Sequence, residues 1–117
     1  MIRVAVIGGG QNCEHEVSLH SAASVAAALD PDRYDVVRLT IGLDGGWHGP
    51  GVATLADAVR VLAGCDVVLP IVHGPRGEDG ALAALCDFVG VPVAGSGLAA
   101  GALAMDKWAT KLVARAA

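Results

Sequence analysis

The chain has 117 residues, 54% of them hydrophobic, with only four aromatics and a formal net charge of −4. That length holds one domain with a real core but not two. The acidic balance and the lack of any Lys/Arg run exclude nucleic acid and an anionic membrane surface as partners.

The N-terminus, MIRVAVIGGG, has too short an apolar run for a secretory leader and lacks a small-residue cleavage pattern. No apolar run reaches membrane-spanning length, because Asp, Arg or Gly interrupts each one. Cys13, Cys65 and Cys86 are odd in number and have no CxxC spacing, the usage of a reducing compartment. A cytoplasmic domain is expected.

Four short β-branched segments read as strands: 2–8 (IRVAVIG), 34–41 (YDVVRLTI), 66–72 (DVVLPIV) and 91–95 (VPVAG). The near-continuous apolar character of the first and third predicts burial on both faces. Helical spacing lies between them, over 18–29, 54–63 and 79–89. In the first helix Leu19, Ala22, Ala26 and Leu29 form one stripe with Val25 beside it, and DPD at 30–32 stops it. Thr54 is the expected N-cap of the second helix and Asp79 of the third; Gly64 and Gly90 lie just past their ends. LDGGW, 43–47, is a tight turn that opens a small hairpin excursion.

Strand–helix alternation predicts an α/β fold, an open sheet of four parallel strands with helices on both faces and the order 2-1-3-4. Two further helical pieces follow the fourth strand, with Asp106 a candidate cap. The last of them runs to Ala117 with no Gly or Pro to close it, the pattern of a chain about to enter another domain.

Ligands of such a sheet bind outside the carboxyl ends of the strands, beside the switch in strand order. Two unusual loops fall there: GGGQNCEHEVS after the first strand and HGPRGEDG after the third. A zincin motif needs two histidines four apart, but His15 and His20 are five apart, roughly 140° out of register on a helix. A dinucleotide fingerprint would need glycine where Cys13 stands, and neither loop continues into the GK[ST] of a Walker A.

What remains is a mouth with two carboxylates, Glu14 and Glu16, and two imidazoles. The carboxylates also suit a helix start on dipole grounds alone. His73 ends an apolar strand, where a histidine is often only structural, but the glycines that follow let a backbone approach a ligand closely.

Three stretches, in order, carry a resemblance: GGGQNCEHEVSLHSA, HGPRGEDGALAALCDFVGVPVAGSG and LAMDKWATK. Together they resemble the N-terminal domain of D-alanine–D-alanine ligases, of the ATP-grasp superfamily, and the similarity runs over essentially the whole chain. Asn12-Cys13 departs from the family's usual loop.

The resemblance implies a Rossmann-like pre-ATP-grasp domain of an enzyme that makes D-alanyl-D-alanine for peptidoglycan. ATP phosphorylates the carboxylate of the first D-alanine, and the amine of the second attacks the acyl phosphate. It also implies that Glu16 holds the ammonium of the first D-alanine and that His73 contacts the same substrate. Lys107 would reach the ATP phosphates. ATP and Mg2+ are the implied cofactors, with the Mg2+ ligands in central and C-terminal domains outside these residues. A homodimer is implied as well. The chain by itself is expected to be inactive. The alternatives are a stand-alone amino-acid-binding or regulatory module, and a ligase for another D-amino or hydroxy acid.

Overall fold

The computed structural model describes residues 1–11, 13–72 and 81–94. The elements are β1 (Ile2–Gly9), α1 (His15–Ala28), β2 (Tyr34–Ile41), β3 (Trp47–His48), α2 (Leu55–Ala63), β4 (Val67–Pro70) and α3 (Ala81–Val89).

β1 is the central strand, parallel to β2 from Ile2↔Tyr34 to Gly9↔Ile41 and parallel to β4 from Val4↔Val67 to Ile7↔Pro70. Being flanked on both sides, it is apolar at every position that the helices cover, and Val4 to Ile7 are buried. Alternation then sorts its side chains. Ala5 and Ile7 join Leu39, Val68, Ala58 and Leu62 of α2, and Leu82 and Cys86 of α3, in one apolar cluster. Val4 and Val6 join Tyr34, Leu69 and Ala22 of α1 in the other. Helices therefore cover both faces, as the sequence predicts.

Two features correct the expected order. The sheet reads β3-β2-β1-β4, and β3 is antiparallel to β2 through Thr40↔His48 and Ile41↔Trp47. The sheet is mixed because the 42–46 turn reverses the chain: Gly42 N–H donates to the Gly46 carbonyl at 2.8 Å, and Gly45 takes φ +83°.

Among its described residues, 91–94, the predicted fourth strand contributes only a parallel bridge, Val68↔Val93, beside β4. Pro92 has no N–H to give, and the Val91 N–H is turned back to the Cys86 carbonyl at the end of α3. That leaves two bonds: Val68 N–H to the Pro92 carbonyl, and Ala94 N–H to the Val68 carbonyl. The predicted sequence of strands one to three, 2-1-3, is otherwise kept, with β4 in the place of the third.

Helix boundaries follow their caps. α2 starts with a full capping box, in which Asp57 N–H donates to Thr54 Oγ1 and the Asp57 carboxylate accepts from Thr54 N–H. α1 begins three residues earlier than its periodicity suggests. Its N-cap is Glu14, with no side-chain cap bond, so the residue chemistry that marks most helix starts is absent. The expected Asp79 cap and the helical pieces after the fourth predicted strand lie outside the described residues.

Candidate active site

The chain leaves β1 for α1 and β2 on one side, then returns to lay β4 on the other. The crevice between the carboxyl ends of β1 and β4 is the switch point of the sheet, and the N-terminus of α1 points into it.

Ser18 closes the floor of that crevice. Its side chain is fully buried, accepts the Gly9 N–H at 2.9 Å and donates a short bond to the Ile71 carbonyl. Beside it the Ile71 N–H donates to the Ile7 carbonyl at 2.7 Å. One hydroxyl therefore ties α1 to the last residue of β1 and to the residue that follows β4.

The β1–α1 loop is held at two more points. Gly10 N–H donates to the Ile41 carbonyl at 2.8 Å, and His15 Nδ1 lies 2.9 Å from the Gly10 carbonyl. In the neutral ring that contact puts the proton on Nδ1. His15 is thus a clamp on its own loop. Glycine is required at position 9, where φ is +92° and a methyl group would sit 2.1 Å from the Ile41 carbonyl oxygen.

Glu16 is the second residue of α1, in its first turn, and is exposed. It lies about 200° around the helix from Ser18, on the side turned away from the crevice. Glu14, also exposed, lies one turn before Ser18, only about 40° from it, on the crevice side. By helix phase the two residues therefore fall on different sides of the helix head. His73 and Lys107 lie outside the described residues; Val72, directly before His73, is buried at the end of the β4 segment. Among the described residues no group of three or more His, Cys, Asp or Glu side chains gathers as a metal site.

A cavity of about 190 Å³ opens at the same mouth, lined by Gly10, Gln11, Ile41, Gly45, Trp47, Val72, Leu82 and Leu85. Its lining side chains are apolar apart from the Gln11 amide and the indole N–H of Trp47.

The residue that sequence reasoning missed is Ser18. It occupies the first place of the stripe Ser18, Ala22, Val25, Leu29, so a lone hydroxyl in an apolar helical face was the signal for it.

An open α/β domain with a buried hydroxyl at its switch point and a helix head above it belongs to the class that binds small polar ligands at the strand ends. Residues 3–60 and 51–96 match the family described as D-ala D-ala ligase N-terminus. The chain is 41% identical to the D-alanine–D-alanine ligase of Rhodococcus erythropolis over 93% of its own length and 39% of that protein's. It is 40% identical to that of Deinococcus radiodurans, over 95% of this chain and 37% of the relative. Among solved structures it is similar to the VanG D-Ala:D-Ser ligase of Enterococcus faecalis, with TM-score 0.69, 28% identity, and coverage of 92% of this chain and 39% of the other. The D-alanine-D-alanine ligase of Coxiella burnetii gives TM-score 0.66 and 28% identity, covering 99% and 42%.

The chain belongs to the D-alanine–D-alanine ligase family and corresponds to its N-terminal domain. It spans about two fifths of the length of the relatives it matches.

Proposed function

We infer that this domain supplies the first amino-acid subsite of an ATP-dependent D-alanine–D-alanine ligase that works in the cytoplasm on a peptidoglycan precursor. The observation that carries the reading is the crevice of β1 and β4, floored by Ser18 and headed by a carboxylate-bearing helix start, in a chain of this family.

A carboxylate there receives the substrate's ammonium through charge-assisted hydrogen bonds. The resemblance assigns that role to Glu16; the helix phase favours Glu14, on the crevice side. His73, next after the buried Val72, contacts the same substrate. Lys107 belongs to the ATP side. ATP supplies the phosphoryl group that activates the first substrate's carboxylate, and the second amine displaces phosphate from that carbonyl. The same reading carries Mg2+ held by residues of other domains, and a homodimer.

The test is kinetic, on the complete gene product, following D-alanine-dependent ADP release in Glu14→Gln, Glu16→Gln and His73→Ala variants. Loss of the ammonium anchor raises KM for the first D-alanine and leaves KM for ATP in place. A rise with Glu14→Gln alone assigns the anchor to Glu14, and a rise with Glu16→Gln alone assigns it to Glu16. Unchanged kinetics in all three variants contradicts the proposed subsite.

A second reading, ligation of D-alanine to a different second substrate, is favoured by the likeness to a D-Ala:D-Ser ligase.

A further inference from the structure

The β1–α1 loop and the β2–β3 turn interlock at two residues, Gln11 and Gly45. A methyl group on Gly45 would stand 2.8 Å from Gln11 Cδ, 2.8 Å from its Nε2 and 2.9 Å from its Oε1. Three nearly equal distances mean that the face of the Gln11 amide is laid against the position a Cβ on Gly45 would occupy, so the amide keeps this seat only while residue 45 has no side chain. Gly45 is also fixed in place. It has φ +83°, its N–H donates to the Gly42 carbonyl at 3.0 Å, and the next N–H, of Gly46, donates to Asp44 Oδ1 at 2.8 Å.

Gln11 is just as closely tied to the crevice. It follows Gly10, whose N–H and carbonyl are both bonded, and stands three residues before Glu14 at the head of α1. Both residues line the same cavity. The antiparallel hairpin is thus a stop against which the substrate loop rests.

We propose that Gln11 is a positioning residue: laid flat on Gly45, it sets the height of the β1–α1 loop and so the place of the carboxylate that receives the substrate's ammonium. This rests on the functional reading above. Gly45 is its partner in the contact, and a side chain there displaces the Gln11 amide from its seat.

The experiment is a double-mutant cycle in the complete gene product, read by D-alanine-dependent ADP release and by melting temperature. The variants are Gln11→Ala, Gly45→Asn and the pair together. Asn tolerates a left-handed φ, so Gly45→Asn introduces the clash without the backbone strain that alanine would add; Gly45→Ala serves as the strained control.

Each single change raises KM for the first D-alanine about five- to tenfold, with kcat and the KM for ATP much less affected. The double variant is no worse than Gln11→Ala, because the clash needs the glutamine. Unchanged KM in the singles, effects that multiply in the double, or equal losses in KM and kcat that follow melting temperature would each overturn the proposal. A parent enzyme with no D-alanine-dependent turnover would instead overturn the functional reading itself.

Discussion

The Ser18 hydroxyl donates to the carbonyl of Ile71, 53 positions further along the chain, while it accepts the N–H of Gly9. Without it, the Gly9 N–H and the Ile71 carbonyl lose the partner they share. Ser18→Ala is therefore expected to lower stability by about 2–4 kcal/mol, most of it the desolvation of those groups. Urea denaturation of parent and variant measures it; a loss below about 0.5 kcal/mol, the range of ordinary surface changes, contradicts this account of Ser18.

α1 crosses β1 where both are small. A methyl group on Gly8 would meet the Ala22 Cβ at 2.7 Å and the Ser18 carbonyl oxygen at 3.4 Å. Gly8→Ala pushes the helix off the strand and costs about 1–3 kcal/mol. Adding Ala22→Gly removes the nearer contact, so the double variant recovers part of the loss despite glycine's cost within a helix. A urea midpoint lower in the double than in Gly8→Ala would place the clash elsewhere.

Asp57 gives the fold an acid-sensitive point. Hydrogen bonding from the Ala53 N–H, then the Thr54 side chain and N–H, with the Arg60 guanidinium beside it, holds its carboxyl below the ordinary 3.8. A depressed folded pKa means that the carboxylate's contribution is complete above the unfolded value and is lost as pH falls through the folded one. The stability of the parent should decline below about pH 4 more steeply than that of Asp57→Asn. Denaturant midpoints of the two proteins at pH 3, 4 and 6 check this; parallel profiles would contradict it.

Much of this frame is legible in the residues. β-branched runs ending at glycine or a polar loop locate β1, β2 and β4, and Thr54 with Asp57 marks the start of α2. The head of α1 is not legible, because Glu14 caps it without a side-chain bond and only tertiary packing against Gly9 and Ile71 brings the helix back to His15. The fate of the last predicted strand depends on which N–H groups are available after α3, and Pro92 and the turn at Gly90 remove them. The candidate site residues come from the family pattern alone. The division of Glu14 and Glu16 between two sides of the helix requires knowing where that helix begins.

The three cysteines differ by environment. Cys86 is buried in the cluster under α3, and burial pushes its thiol up to about 11. Burial also raises Cys65, whose Sγ lies 3.3 Å from the Val61 carbonyl, whereas Cys13 is exposed in the β1–α1 loop. The thiolate is the reactive form. Native protein treated with iodoacetamide at pH 7.5 should be alkylated at Cys13 first, then Cys65, with Cys86 labelled only on unfolding. Peptide mass spectrometry reads the order, and early modification of Cys86 would mean that α3 does not stay packed on the sheet.

The most direct measurement is product identification by mass spectrometry, with the complete gene product given ATP, Mg2+ and D-alanine. The account predicts D-alanyl-D-alanine, ADP and phosphate in equal amounts, with no dipeptide from L-alanine. Neither ADP nor any D-alanine-containing product, with D-alanine alone or together with D-serine, would contradict it.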